Sequence, residues 1–162
     1  MDHASRVDRT ALVVDDDVFI LSALAELLEE EGYDVHTASN GFSALRQVQA
    51  FKPAVVLLDL ALPERSGAEV LLEMRADVSN RDVAIVVVTG HPDSLSEVQA
   101  AEIDGFVTKP FDAVELLRTV HRAVQHAAAR RSEVAPVAAT SHRGVAARTL
   151  RPASARRTRG RR

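Results

Sequence analysis

Asp59 closes an apolar run, Ala54-Val55-Val56-Leu57-Leu58, and is followed by Leu60-Ala61-Leu62-Pro63. A carboxylate placed where a buried strand runs out is held rigidly yet opens to solvent. Three other strand-like runs end in polar groups. Leu12-Val13-Val14 ends in Asp15-Asp16-Asp17, Ala84-Ile85-Val86-Val87-Val88 in Thr89, and Phe106-Val107-Thr108 in Lys109-Pro110. If these strands are parallel neighbours, three or four carboxylates, a hydroxyl and an ammonium converge on one rim. Such a set suits a divalent metal and a phosphoryl group.

Magnesium takes near-octahedral oxygen ligands, keeps several waters and uses only one or two carboxylates. Asp16 and Asp59 are therefore expected as direct ligands, Asp15 as a water-mediated one and the Ala61 carbonyl as a backbone ligand. Asp17 reads as a helix cap. Asp59 is the candidate nucleophile, because a carboxylate can accept a phosphoryl group as a mixed anhydride. Thr89 could hydrogen-bond a phosphate oxygen and Lys109 could neutralise another as a point charge. Taken alone, Thr89 would be a strand-end hydroxyl capping the next turn, and Lys109 a surface charge. The X-Pro bond after Lys109 can be cis, which could aim the lysine inward.

The elements that must position these groups alternate along residues 11–128. After Asp17, Ile20/Leu21, Leu24 and Leu27/Leu28 recur at helical spacing, and Gly32 stands where that helix stops. Residues 33–38 alternate like a strand. Asn40 caps a helix that ends before Pro53. The Asp59 strand follows, then a loop with Pro63 and Gly67 and a helix carrying Val70, Leu71 and Met74. After the Thr89 strand a helix opens near Pro92. Asp112-Ala113-Val114-Glu115 reads as a capping box for a last helix. Five β/α units imply a parallel sheet with helices on both faces, and such sheets bind ligands beyond the carboxyl ends of their strands.

Composition divides the chain. Of 162 residues, 1–129 hold 22 acidic and ten basic residues, a net charge of −12, whereas 130–162 hold ten arginines against Glu133 alone, a net charge of +9. The sequence reading gives a flexible N-terminus over 1–10, one domain over 11–128 and a basic, disordered tail over 129–162, where no aromatic residue and no apolar period remain. There is no cysteine, which fits a reducing compartment. No apolar run approaches a membrane span and no signal peptide opens the chain, so a cytoplasmic protein with no membrane contact is expected.

Four blocks together carry a resemblance. Val13-Val14-Asp15-Asp16-Asp17, Leu57 to Pro63, Val88-Thr89-Gly90-His91 and Asp104 to Phe111 resemble, in order, the receiver domain of bacterial two-component response regulators. The resemblance covers residues 11 to about 128. It implies a flavodoxin-like, doubly wound, five-stranded parallel sheet of order 2-1-3-4-5. It also implies a signalling switch in which Asp59 accepts a phosphoryl group from a sensor histidine kinase or phosphotransfer protein. Asp15 and Asp16 then hold Mg2+, Thr89 and Lys109 read the phosphate, and Phe106 acts with Thr89 as the switch pair. Activity would be limited to the domain's own phosphoryl transfer and autodephosphorylation. A downstream protein partner would bind the fourth helix, fifth strand and fifth helix, with no recognisable output domain attached. Two positions depart from the family: Glu102-Ile103 stands where Gly-Ala is common, and Phe106 replaces the commoner tyrosine, removing a phenolic hydrogen bond.

Two rival functions are weighed against this. A phosphatase of the haloacid dehalogenase class would use Asp15-Asp16-Asp17 as Asp-x-Asp, but it needs a further acidic pair after Lys109 and leaves Asp59 without a role. A nucleic-acid-binding arm would use the arginines of the tail on phosphates, with strong salt dependence. No aromatic is interleaved there for base stacking.

Overall fold

A computed structural model describes residues 9–134; residues 1–8 and 135–162 lie outside the description. In chain order the elements are β1 (Thr10–Val14), α1 (Val18–Glu30), β2 (Asp34–Ala38), α2 (Gly41–Phe51), β3 (Val55–Leu58), α3 (Gly67–Ala76), β4 (Ala84–Thr89), α4 (Glu97–Ala100), β5 (Gly105–Thr108) and α5 (Ala113–Val134). The five strands form one sheet in the order β2-β1-β3-β4-β5, and every pairing is parallel. This is the expected flavodoxin-like arrangement.

Both faces of the sheet are covered, which is why the central strands read as unbroken apolar runs rather than as alternating ones. Val13, Leu57, Val86 and Val107 pack with Leu24 and Leu28 of α1 and with Leu116, Val120 and Ala123 of α5. Leu12, Val56, Leu58 and Ile85 face the other way, against Val48 of α2 and Val70, Leu71 and Met74 of α3.

Local chemistry sets the helix starts. Asp17 Oδ1 accepts the Phe19 amide at 2.8 Å, and Asn40 Oδ1 accepts the Ser43 amide at 2.8 Å. Ser66 and Glu69 close a reciprocal capping box at the start of α3. Asp112 accepts the amides of Val114 and Glu115, the cap half of the box expected there. After α1, Gly32 takes φ 87°, the left-handed conformation that lets the chain turn into β2.

Three expectations are corrected. Thr10 belongs to β1, where its carbonyl accepts the Ala54 amide at 2.8 Å, and Arg9 Nη1 donates to Glu31 O, so the last two residues of the expected flexible N-terminus are held; the rest of it lies outside the described residues. The helix expected to open near Pro92 is instead a single 3-10 turn over Pro92–Ser94, and α4 is only Glu97–Ala100, capped by Ser96. The boundary expected at residues 128/129 falls inside α5. A switch in charge does not end a helix: Ala127-Ala128-Ala129-Arg130-Arg131 are all strong helix formers, Ala127 is buried, and Arg130 is gripped by Asp104. The remainder of the expected tail lies outside the described residues.

α3 begins hard against the backbone of the third strand's exit. A Cβ added at Gly67 would lie 1.9 Å from the Asp59 carbonyl oxygen and 2.8 Å from Leu60 Cα. No rotamer change relieves an overlap with backbone. Gly67→Ala is therefore expected to lower the free energy of unfolding by about 1–3 kcal/mol, the range for forced overpacking. Urea unfolding of the two proteins measures it, and an unchanged midpoint would show that the loop after β3 yields freely.

Candidate functional site

The register of the sheet brings the polar strand ends together. Val14 pairs with Leu58 and Leu58 with Val87, so Asp15 and Asp59 leave adjacent strands at one level. Thr89, paired with Thr108, stands one residue higher on β4. The strand ladder continues through these exits: the Asp15 amide donates to Ala38 O at 3.1 Å, the Asp59 amide to Val14 O at 2.9 Å, and the Lys109 amide to Thr89 O at 2.9 Å.

Asp15 and Asp59 are buried, at 1% and 5% exposure. Lys109 reaches over from β5 and places its ammonium between them, with Nζ 2.5 Å from Asp15 Oδ2 and 3.0 Å from Asp59 Oδ2. The Lys109-Pro110 bond is cis. The remaining oxygens are held by backbone. Asp15 Oδ1 accepts the Asp17 amide at 2.9 Å, and Asp59 Oδ1 accepts the Ala61 amide at 3.1 Å. Asp16 is exposed. Burial raises the pKa of Asp15 above the usual carboxylate value; the bonds from Lys109 and the Asp17 amide pull it back, and the charge of Asp59 raises it further. Burial also works against the Lys109 ammonium, but its bonds to Asp15 and Asp59 outweigh that and leave its pKa raised.

Asp15, Asp16 and Asp59 each offer an oxygen within 4.8 Å of the others, the one such group of acidic or metal-ligating side chains among the described residues. An all-oxygen, carboxylate set is what hard divalent cations take, and a bridging ammonium already occupies the cation's side of two of the three acids. The donor set therefore fits a divalent metal. Ala61 lies two residues beyond Asp59, exposed and tied to it through its amide. Thr89 is fully buried, and its Oγ1 accepts the His91 amide at 3.2 Å. The hydroxyl thus caps the following turn while its own hydrogen stays available to donate. Phe106 is half-buried on β5, next to the buried Val107.

The haloacid dehalogenase reading loses ground here. Asp112 is engaged as the cap of α5 and Glu115 sits in its first turn. Asp59, idle in that reading, shares Lys109 with Asp15. Two features that shape the site go beyond the sequence reading: Gly67, packed against the Asp59 backbone where the sequence shows only a loop glycine, and the Ser66/Glu69 box that starts α3, legible as Ser-x-x-Glu. No described helix is long and apolar enough to cross a membrane.

A family model described as the response regulator receiver domain matches residues 11–121. The transcriptional regulatory protein KdpE of Mycobacterium tuberculosis is 40% identical over 131 residues, 80% of this chain and 57% of that protein. The chain thus spans little more than half the length of that relative. The response regulator TrrA of Thermotoga maritima, solved in complex with Mg(2+)-BeF, matches with a TM-score of 0.65 at 35% identity, over 71% of this chain and 98% of that one. The receiver domain of sensor histidine kinase PA1611 from Pseudomonas aeruginosa, solved with a magnesium ion coordinated in its active site cleft, matches with a TM-score of 0.66 at 26% identity, over 73% and 98% of the two chains.

The lysine bridge has a direct energetic consequence. Lys109→Ala leaves two buried carboxylates side by side without their shared cation, and breaking a buried pair in this way costs about 3–5 kcal/mol. Urea unfolding in a chelator is expected to show a loss near the lower end of that range, because Asp15 can take up a proton. Adding Asp59→Asn to the same variant removes one charge and is expected to recover part of the loss. A double variant no more stable than Lys109→Ala would show that charge repulsion is not the cause.

Proposed function

This chain belongs to the response regulator receiver family, and from that premise we propose that it is a signalling switch thrown by phosphorylation of Asp59. The observation that carries the reading is the placement of Asp59. It is buried at the end of β3, with one oxygen on the Ala61 amide, the other on Lys109, and two further carboxylates within 4.8 Å.

The donor is a phosphohistidine on a sensor histidine kinase or phosphotransfer protein. An Asp59 oxygen attacks phosphorus, the P–N bond to the imidazole breaks and an acyl phosphate forms. Lys109 passes from the carboxylate to the new phosphoryl oxygens, neutralising charge that arrives with the phosphoryl group. Thr89 keeps its contact with the His91 amide and gives its free hydroxyl hydrogen to a phosphoryl oxygen. Asp16 and Asp59 would hold Mg2+ directly, with the Ala61 carbonyl and, through water, Asp15. When bound, the metal shields the incoming phosphate from the acids around it. Phe106 follows Thr89 and reshapes the surface of α4, β5 and α5, a two-state shift biased by local charge. That surface takes the downstream protein partner, and hydrolysis of the acyl phosphate resets the switch. The unit doing this spans residues 11 to about 128, with α5 extending it. The arginines of the basic segment suit nucleic-acid phosphates.

Two measurements test the reading. Acetyl phosphate with magnesium is expected to add one hydroxylamine-sensitive phosphoryl group, seen by mass spectrometry, and Asp59→Asn to abolish it; undiminished labelling of that variant would sink the assignment. Thermal melting across a magnesium titration at fixed ionic strength checks the metal. A cation that binds only the folded protein adds about 2.7 kcal/mol at one hundred times its Kd. Asp16→Ala is expected to lose most of that gain, and an identical response in both proteins would place the metal elsewhere.

A further inference from the structure

Beyond the acidic rim, at the other edge of the sheet, the described residues enclose a second concave site that phosphoryl transfer does not use. A cavity of about 370 Å3 lies between the end of α3, the exit of α4 and the last turns of α5. Its size falls within the roughly 300–1,000 Å3 of small-molecule sites. Three guanidiniums, Arg75, Arg81 and Arg130, face two carboxylates, Asp104 and Glu102, across it. The lining thus carries three cations against two acids, a local net charge of +1.

Hydrogen-bond accounting shows where that charge is unanswered. The Asp104 side chain is only 6% exposed and accepts from Arg75 Nη2 at 2.9 Å, Arg130 Nη1 at 2.5 Å, Arg130 Nη2 at 3.2 Å and the Ile85 amide at 2.8 Å. A carboxylate has about four acceptor positions, and Asp104 accepts four hydrogen bonds, three on Oδ2 and one on Oδ1. Each guanidinium has five N–H groups. Arg75 uses Nε on Glu102 O, both Nη1 hydrogens on Asn80 O and Val83 O, and one Nη2 hydrogen on Asp104. Arg130 uses Nε on Arg81 O and one hydrogen from each terminal nitrogen on Asp104. One Nη2 hydrogen of Arg75 and two terminal hydrogens of Arg130 are left without an acceptor among the described residues. The exposed Arg81 guanidinium has no partner there at all. Burial pushes the pKa of Arg75 down, Asp104 and Glu102 oppose that, and the like charge of Arg130 reinforces it. The wall also carries an apolar patch: Val78 is 80% exposed, and Ile103 is only partly buried.

The geometry points to a binding site for a small phosphate-bearing molecule of mononucleotide size. Its phosphate oxygens accept the spare hydrogens of Arg75, Arg81 and Arg130, and its body lies against Val78 and Ile103. A phosphate suits the site better than a carboxylate because donors approach from three separate guanidiniums, and phosphate offers three acceptor oxygens and the greater charge. The arginine-rich residues beyond Val134 carry the wrong sign to enter it.

Isothermal titration of the full chain with AMP, without magnesium and at fixed ionic strength, tests the site. The expected result is one saturable site, competed by inorganic phosphate, unchanged by Asp59→Asn and weakened at least tenfold by Arg81→Ala. The Arg81 side chain holds no partner among the described residues, so that variant is expected to melt with the wild type. No saturable binding would overturn the proposal. So would equal affinity in Arg81→Ala, which would assign the binding to other arginines, or loss of binding in Asp59→Asn, which would assign it to the phosphoacceptor rim. Failure of phosphate to compete would refute the phosphate head group.

Discussion

One ammonium spans the top of the sheet, and much of the rest is arranged so that it can. Lys109 leaves β5, yet its charge lies between carboxylates from β1 and β3, three and two strands away in the order β2-β1-β3-β4-β5. To get there it passes over β4, and the residue at that crossing is Thr89, small and fully buried, whose carbonyl also takes the lysine's amide. Two acids at 1% and 5% exposure are costly to bury as charges. One shared cation balances only half of them. The arrangement is therefore held one charge short of neutrality, with a third acid at the solvent edge. That imbalance favours an incoming cation, and the parallel register enforces it because it puts Asp15 and Asp59 at the same height.

How much of this could be read beforehand depends on how local the signal is. The strand ends, Asp17, Asn40 and Asp112 were legible because each acts within three residues of itself. The sheet order and the expectation that Phe106 acts as a switch aromatic came with the resemblance, since apolar periodicity says nothing about which strands are neighbours. The start of α4 differs from the expected opening near Pro92: that proline begins a 3-10 turn, and a capping box at Ser96 and the return to β5 leave room for one turn of helix. The end of α5 was misjudged for a different reason. The apolar period and the aromatics run out there and the net charge reverses, yet alanine and arginine continue a helix readily.

The Asp104 cluster was invisible for a third reason. Its partners lie 29 residues back in Arg75 and 26 ahead in Arg130, and neither belongs to a motif with a fixed spacing. β5 consequently has a differently employed polar group at each end. Lys109 follows it toward the acidic rim, and Asp104 precedes it, binding the start of β4 through the Ile85 amide. Four residues of strand separate two clusters of opposite electrostatic character.

The 22 residues of α5 make a rod about 33 Å long at 1.5 Å per residue, and the grip of Asp104 on Arg130 fixes its azimuth near the far end. The side of the helix on which Glu133 stands is then a matter of helical phase. Inserting one residue between Arg130 and Glu133 would swing that position by about 100° around the helix axis while leaving the grip untouched. The same insertion a few residues earlier would carry Arg130 off its carboxylate. The last turn of α5 thus behaves as a dial whose zero is set by one ion pair.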